Sequence, residues 1–260
     1  MTILIAGGCS LTYGSELESQ EKSWSSIVAG NMGLNYCNVA KPGASNAQIT
    51  RQVITATEKF ILLNLDISVA VMWTFPNRHE FRFAYDTEHK DSPWTSINPW
   101  TALAMTEEQK SRASDEQIAI MNNNEERDKR TGVQEFAAMF TRHMSYEYDL
   151  YTSYKEMCLL QYYLRHMGIP YFPTYAATSL FEYDDVEDKD QSVSIMRNQL
   201  ATHKWMVPYS NTERRHGFYD WAKQSGFPFY STHPGEEAHE EFAKQFTEFY
   251  QHKLLKDPPF

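Results

Sequence analysis

Two kinds of hydrophobic pattern alternate along the first half of the chain. Thr2–Ala6 and residues 67–73 are short runs in which nearly every position is apolar, which is typical of strands buried on both faces. Between them, apolar residues recur every three or four positions, which indicates helices with one buried face. Strands that alternate with helices over short links predict a mainly parallel sheet covered by helices on both faces.

Helix ends are marked by glycines and capping residues. Gly33 and Gly168 are predicted to end helices, and Ser45 or Asn46 is predicted to begin one. Further strands are predicted over Leu34–Val39 and in the stretch "IPYFPTYA". Four helices are predicted to bury one apolar face each, and the last of them spans 236–254. In chain order, these faces consist of Trp24, Ile27, Val28 and Met32; of Ile49, Val53, Ala56, Phe60 and Leu63; of Tyr151, Tyr154, Met157, Cys158, Leu160 and Leu164; and of Phe242, Phe246 and Phe249.

The regular pattern is interrupted between residues 84 and 148. This stretch is polar and rich in Asn, Glu, Ser and Thr, with isolated tryptophans. We predict that residues 1–260 form a single domain and that 84–148 is an insertion or lid within it. Helices are predicted in the insertion at Thr106–Asn122 and Val133–Met144.

Composition and charge exclude several classes of function. The formal net charge of −10 argues against nucleic acid as a partner, because phosphate-backbone binders need clustered Lys and Arg. The three cysteines, Cys9, Cys37 and Cys158, are too few and too scattered for a disulfide framework or a zinc site. We expect no metal, no cofactor and no membrane span, and a cytoplasmic protein without a signal peptide.

Candidate chemistry lies in the loop that follows the first strand. Loops 7–14, 40–46 and 74–80 should meet at the carboxyl edge of the sheet, where ligands bind in folds of this kind. The first loop, "GGCSLTYG", lacks both the Lys-Ser/Thr ending of a phosphate loop and the G-x-G-x-x-G pattern, so nucleotide binding is disfavoured. Ser10 would be either a helix cap or a nucleophile beside backbone N–H groups. Cys9 is a competing nucleophile, but adjacent side chains entering a helix point in different directions.

A histidine near the other end of the chain favours the nucleophile interpretation. His233 precedes Pro-Gly and a long helix in "STHPGEEAHEEF". A histidine held in a loop at the sheet edge can serve as general base to a serine hydroxyl. Single histidines are more often structural. The pairing of Ser10 with His233 requires that the two ends of the chain meet in the fold, because the residues lie near opposite ends of the sequence.

Several short blocks, in the right order, resemble the SGNH (GDSL-like) hydrolases. Gly8-Cys9-Ser10-Leu11 is similar to the family's Gly-Asp-Ser-Leu, with cysteine in the aspartate position. "NVAKPG", ending at Gly43, resembles the second block, and Asn77 in "MWTFPNRHEF" is the nearest match to the third. His233-Pro234 resembles the last block, and His239 matches the second histidine of its ending.

The resemblance implies a fold, a reaction and a set of residues. The fold would be a flavodoxin-like three-layer α/β/α arrangement, and the protein an ester hydrolase. Ser10 would attack the ester, and His233 would take its proton. The oxyanion hole would consist of the N–H groups of Ser10 and Gly43 with the Asn77 side chain. The substrate would be a small ester or an acylated carbohydrate, with carbohydrate deacetylation as the leading example.

The departures from the family pattern leave other outcomes open. Tyr230 stands where the last block has its aspartate, so His233 would be supported by Asp220, by a backbone carbonyl or by nothing. Arg78, Trp94 and Trp100, with Glu80, would line an acyl or sugar site, or else the aromatics anchor the insertion. The alternative function is a non-catalytic binding or structural protein on the same scaffold, for which a virion role is conceivable.

Overall fold

Four parallel strands form the central sheet of the computed structural model, which describes residues 2–83, 94–99, 101, 132–181, 190–209 and 216–256. The strands are β1 (Thr2–Gly7), β2 (Asn35–Asn38), β3 (Asp66–Trp73) and, further along the chain, β6 (Tyr171–Tyr175). Their order in the sheet is β2-β1-β3-β6. Leu4 lies between Tyr36 of β2 and Ser68 of β3, so β1 is a central strand, as its unbroken apolar run predicts.

Helices cover the sheet on both faces. Their bounds are α1 (Ser10–Tyr13), α2 (Trp24–Asn31), α3 (Asn46–Leu62), α4 (Val133–His143), α5 (Tyr146–His166), α6 (Gln191–Asn198), α7 (Phe218–Gln224) and α8 (Glu236–Lys256). The chain leaves β1 towards β2 and then crosses back to β3. Right-handed crossovers therefore place α2 and α3 on opposite faces.

Each layer is held by contacts between the helices that share it. α8 packs on α2, where the ring centroids of Trp24 and Phe246 lie 4.9 Å apart. α5 packs on α3 across the other face. The predicted mainly parallel three-layer α/β/α architecture is confirmed.

Most of the predicted helix ends are confirmed. Ser45 caps α3 by accepting a hydrogen bond from the Gln48 N–H at 3.1 Å. Gly33 and Gly168 follow α2 and α5 in left-handed conformations, with φ of 64° and 66°, which a residue without a Cβ adopts readily. The placement of Leu63 on the buried face of α3 is wrong, because the helix ends at Leu62 and Leu63 is 58% exposed.

The polar stretch between 84 and 148 is described in part. An antiparallel hairpin pairs β4 (His79–Arg82) with β5 (Trp94–Ile97). α4 matches the predicted helix over Val133–Met144, and Val133, Ala137 and Ile97 form a small second core. The predicted helix Thr106–Asn122 lies outside the described residues, so the insertion itself stays a prediction.

Within the described parts of the chain, no helix combines the length and the apolar composition that crossing a bilayer requires.

Candidate active site

Ser10 begins α1 immediately beyond the carboxyl end of β1. The chain turns out of the sheet at Gly8, where a side chain would not fit. An added Cβ would lie 2.1 Å from the Thr12 Oγ1 and 3.3 Å from the Met72 carbonyl oxygen. The turn places the Ser10 side chain at the point where the sheet order reverses between β1 and β3, the usual ligand position in such sheets.

His233 reaches the same edge from the C-terminal half of the chain. It sits in a tight turn closed by a bridge between Phe229 and Pro234 and by a hydrogen bond from the Tyr230 N–H to the His233 carbonyl oxygen at 3.1 Å. The Nε2 atom of His233 lies 2.8 Å from the Ser10 Oγ. This is the separation expected of a nucleophile and its general base.

A carboxylate that sequence reasoning missed lies on the other side of the imidazole. The Glu16 Oε1 is 2.9 Å from the His233 Nδ1. The Glu16 Oε2 accepts hydrogen bonds from three consecutive backbone N–H groups, those of Ser231, Thr232 and His233, at 3.0, 3.1 and 3.3 Å. One carboxylate thus contacts the imidazole with one oxygen and fixes its loop with the other.

Glu16 is held in its ionised form. Burial alone would raise its pKa, but the hydrogen bond and charge interaction with His233, together with the hydrogen bonds from Thr232, lower the pKa of Glu16 to about 2. An ionised carboxylate can only accept hydrogen bonds, and the Thr232 hydroxyl, which also lies 3.0 Å from Nδ1, donates its hydrogen to Glu16 Oε1. This network therefore assigns the hydrogen of the neutral imidazole to Nδ1. The Nε2 lone pair then faces the Ser10 hydroxyl.

The expectation that Asp220 supports His233 is corrected by the structure. Asp220 lies in the first turn of α7, and its Oδ2 accepts hydrogen bonds from the Thr178 N–H and Oγ1, both at 2.7 Å. It fixes the loop that follows β6. Asp220 was one of three alternatives that the sequence left open, whereas Glu16, which approaches from the opposite end of the chain, was not among them. The only sequence signal for Glu16 is a carboxylate shortly after Gly14, the glycine that ends α1.

Cys9 does not share the position of Ser10. Its side chain is fully buried and belongs to the main hydrophobic core, whereas the Ser10 hydroxyl faces His233. This agrees with the expectation that the two side chains point in different directions.

The second loop is attached to the turn that carries Ser10. The Lys41 N–H donates to the Gly8 carbonyl oxygen at 3.2 Å, and the Asn38 amide donates to the Thr12 carbonyl oxygen, also at 3.2 Å. Gly43, further along this loop, has a φ of 74°, and an added Cβ would meet nothing within 4 Å. Its backbone therefore borders open space, although a role in an oxyanion hole stays a prediction.

The third loop begins at Thr74 and is held by Asn46. The Asn46 side chain accepts from the Thr74 N–H at 2.9 Å and donates to its carbonyl oxygen at 3.4 Å. Asn77 follows in this loop as a partly buried residue. It borders a small cavity with His79 and Asp149. The three loops predicted to meet at the sheet edge are therefore joined by hydrogen bonds, while the proposed contact of Asn77 with an oxyanion stays a prediction.

The predicted substrate-lining residues lie in different surroundings. Arg78 is 9% exposed, and its guanidinium lies 4.8 Å from the centre of the Phe75 ring. Trp94 lies on β5, where the Arg51 guanidinium stacks on its ring at 5.0 Å and pairs with Glu80 at 2.6 and 2.9 Å. These contacts join the β4–β5 hairpin to α3, in line with an anchoring role for Trp94. Trp100 lies outside the described residues.

His239 is a second histidine near the site, but it is part of the core. It is 1% exposed, and its Nδ1 accepts a hydrogen bond from the Trp24 N–H at 3.1 Å. Burial, with a smaller electrostatic contribution from the nearby His233, lowers the pKa of His239 to about 3. It therefore stays neutral at physiological pH. Across the described ranges, no group of three or more His, Cys, Asp or Glu side chains is arranged to hold a metal ion.

Comparison with known proteins identifies the fold. No protein-family model matches the sequence, and no curated protein matches it. Among solved structures, the chain is similar to the psychrotrophic esterase EstA from Pseudoalteromonas sp., with 11% identity, a TM-score of 0.50 and coverage of 98% of this chain and 99% of that one.

Two further solved structures cover most of this chain. A member of the lipolytic G-D-S-L family from Veillonella parvula is 13% identical, with a TM-score of 0.45 and coverage of 96% and 99%. A carbohydrate esterase family 2 enzyme with a carbohydrate-binding domain from Corynascus thermopiles is 12% identical, with a TM-score of 0.45 and coverage of 97% and 66%. The chain therefore shares the three-layer α/β/α fold of the Pseudoalteromonas esterase.

Proposed function

We propose that the protein is a serine ester hydrolase in which Ser10 is the nucleophile and His233 is the general base. The observation that carries the proposal is the 2.8 Å separation of the Ser10 Oγ and the His233 Nε2. These atoms belong to residues 223 positions apart, and both lie at the sheet edge where this fold binds its ligands. The ordered sequence blocks and the fold support the same reaction.

The reaction follows from the orientation of the imidazole. The Ser10 Oγ attacks the ester carbonyl carbon while His233 Nε2 accepts the hydroxyl proton. The resulting oxyanion would be held by the N–H groups of Ser10 and Gly43 and by the Asn77 amide. When the intermediate collapses, the C–O bond to the alcohol breaks and His233 returns the proton to the departing oxygen. Water then attacks the acyl-enzyme by the same proton route and releases the acid.

The substrate class that we propose is a small ester, with an O-acetylated carbohydrate as the leading candidate. An aromatic group borders the His233 turn. The ring centroids of Phe75 and Tyr219 are 6.2 Å apart, and those of Tyr219 and Phe229 are 5.4 Å apart. Phe229 forms a backbone β-bridge with Pro234. Partly exposed aromatic rings present apolar faces on which a sugar ring can pack. No metal or cofactor enters this reaction.

The test is hydrolysis of p-nitrophenyl acetate by the wild type and by Ser10→Ala and His233→Ala. We expect each substitution to lower kcat/KM by at least about 1,000-fold, because each removes an essential member of the nucleophile–base pair. Ser15→Ala is the matched control, since Ser15 lies in the same loop without a proposed role, and it should stay within about twofold of the wild type.

Labelling by a fluorophosphonate probe provides a second measurement that does not depend on the substrate. The wild type and Ser15→Ala should react, whereas Ser10→Ala should not. Equal hydrolysis and equal labelling in the wild type and Ser10→Ala would refute the hydrolase proposal. The non-catalytic alternative is favoured by the missing aspartate and by the poor match to the third block. Glu16 supplies a carboxylate beside His233, which weakens the first of these two arguments.

A further inference from the structure

We propose that Glu16 is the positioning carboxylate of this site and that it takes the place of the aspartate missing before His233. The proposal rests on the hydrolase function proposed above and specifies how His233 is supported. In this arrangement the carboxylate and the nucleophile share one short segment, residues 10–16, while the histidine comes alone from the C-terminal turn. The family pattern instead places the carboxylate and the histidine in the same block.

The first argument is the division of work between the two carboxylate oxygens. Oε1 faces the His233 Nδ1 at 2.9 Å, which fixes the tautomer and the ring orientation. Oε2 accepts from the N–H groups of residues 231–233 and fixes the loop on which the ring is carried. The Thr232 Oγ1 adds a hydrogen bond to Oε1 at 3.0 Å. A solvent-exposed glutamate would not be expected to accept hydrogen bonds from this many protein groups.

The second argument is the backbone of Glu16 itself. Its φ is 68°, in the left-handed region, and in the described part of the chain only Asn64 is another non-glycine residue of this kind. Glutamate adopts this conformation at an energetic cost, and such strain persists where surrounding interactions hold it in place. At Glu16, those interactions are the contacts with His233 and its turn.

The third argument is the way the chain returns to the sheet edge after Ser10. α1 is a single turn that ends at Gly14, whose φ is 86°, and the N–H groups of Gly14 and Ser15 both donate to the Ser10 carbonyl oxygen at 3.0 Å. This tight closure reverses the chain. Glu16 is thereby brought back to the imidazole that faces Ser10.

The chemical role follows from the proton transfer. When Ser10 gives its proton to Nε2, His233 becomes a cation, and an ionised Glu16 beside Nδ1 stabilises that cation. Glu16 does not contact the reacting atoms, so it acts through His233. Tyr230 at the family's aspartate position is then tolerated, and its side chain is 56% exposed.

The experiment compares Glu16→Gln with Glu18→Gln. Glu18 lies in the same loop, but it is exposed and paired with Lys22, so its variant is the matched control. A glutamine amide that donates to Nδ1 would select the tautomer whose Nε2 carries a hydrogen, and that tautomer does not accept the Ser10 proton. We expect Glu16→Gln to lower kcat by about 100- to 10,000-fold and Glu18→Gln to stay within about twofold. Glu16→Asp should recover part of the loss.

Two measurements separate positioning from a merely structural role. Loss of the negative charge makes protonation of His233 harder, so the acid limb of the kcat/KM profile should move to lower pH in Glu16→Gln but not in Glu18→Gln. A low-field imidazole N–H resonance from His233 should be present in the wild type and absent in Glu16→Gln. This resonance reports the Glu16–His233 hydrogen bond without any turnover.

The outcomes distinguish this proposal from the hydrolase proposal. If Ser10→Ala abolishes fluorophosphonate labelling while Glu16→Gln and Glu18→Gln are labelled at the wild-type rate, the hydrolase stands and the role of Glu16 is refuted. A loss of activity in Glu16→Gln with an unmoved acid limb and an unchanged resonance would also refute it. If Ser10→Ala behaves like the wild type, the hydrolase proposal fails, and the positioning role fails with it.

Discussion

In the part of the chain that the structure describes, His79 and His233 each lie beside a carboxylate, and of these two it is His233 that faces a hydroxyl on its other side. His79 Nε2 lies 2.7 Å from the Asp149 Oδ1, and its ring packs against Phe140 at 4.8 Å and Tyr148 at 5.9 Å. His233 uses Nδ1 for Glu16 and leaves Nε2 for Ser10. The chemistry of the two pairs is the same, so the pair alone does not make a catalytic site.

The surroundings explain the difference. His79 is carried by the β4–β5 hairpin and joins it to α5, where both partners are largely buried among aromatic rings. His233 stands in an exposed turn at the carboxyl edge of the parallel sheet, next to the nucleophile loop. A histidine–carboxylate pair becomes a candidate general base when the free nitrogen is aimed at a nucleophile that substrate can reach.

The largest expected effect separates the two histidines directly. His233→Ala should lower kcat/KM for p-nitrophenyl acetate by at least about 1,000-fold and lower the free energy of unfolding by no more than about 1 kcal/mol. His79→Ala should leave activity within a few-fold but lower the free energy of unfolding by about 2 kcal/mol, because it leaves Asp149 unpaired and opens space beside Phe140. Urea unfolding with parallel activity measurements checks both. Comparable losses of activity in His233→Ala and His79→Ala would contradict the proposal that His233, and not His79, is the general base.

The sequence was sufficient for the fold because its signals are local. The apolar run of β1, the spacing of Trp24 and Val28, and the glycines after α2 and α5 each report a short-range preference. The pairing of Ser10 with His233 required the order of the family blocks as well, since nothing local places residues 223 positions apart at 2.8 Å.

Neither the local sequence signals nor the order of the family blocks identifies Glu16. Its role depends on a left-handed backbone conformation and on a loop from the other end of the chain. Neither is encoded in a periodic pattern, and a glutamate two residues before Glu18, an exposed acidic residue, looks like an ordinary solvated position. Asp220, the carboxylate named as a candidate, is instead held by α7 against Thr178.

A third histidine extends the comparison, because His239 is buried with no carboxylate beside it among the described residues. Its pKa of about 3 in the folded protein is below the ordinary value of 6.5. A depressed pKa means that the unfolded chain binds the proton first, so stability is full above pH 6.5 and falls as the pH drops towards 3. The expected loss is on the order of 2–3 kcal/mol between pH 6.5 and 4.5.

His239→Gln tests this, because glutamine can still accept the Trp24 N–H hydrogen bond but does not titrate. Urea unfolding between pH 8 and 4.5 should show a steeper loss of stability in the wild type than in the variant. Equal pH dependence in the two proteins would mean that His239 is protonated in the folded state as easily as in the unfolded chain.

The smallest expected effect concerns the stability that Glu16 contributes. Its pKa of about 2 in the folded protein is below the ordinary value of 4.5, so its contribution is present above pH 4.5 and is lost as the pH falls towards 2. For a partly exposed carboxylate screened by solvent, the contribution should be about 1 kcal/mol. Wild type and Glu16→Gln should therefore differ in free energy of unfolding at pH 6 and converge near pH 2, while wild type and Glu18→Gln should differ little throughout. If the wild type is no more stable than Glu16→Gln at pH 6, the Glu16–His233 pair orients the imidazole without stabilising the fold. That result is expected if the strain of the left-handed backbone at residue 16 offsets the stabilisation by the hydrogen bonds.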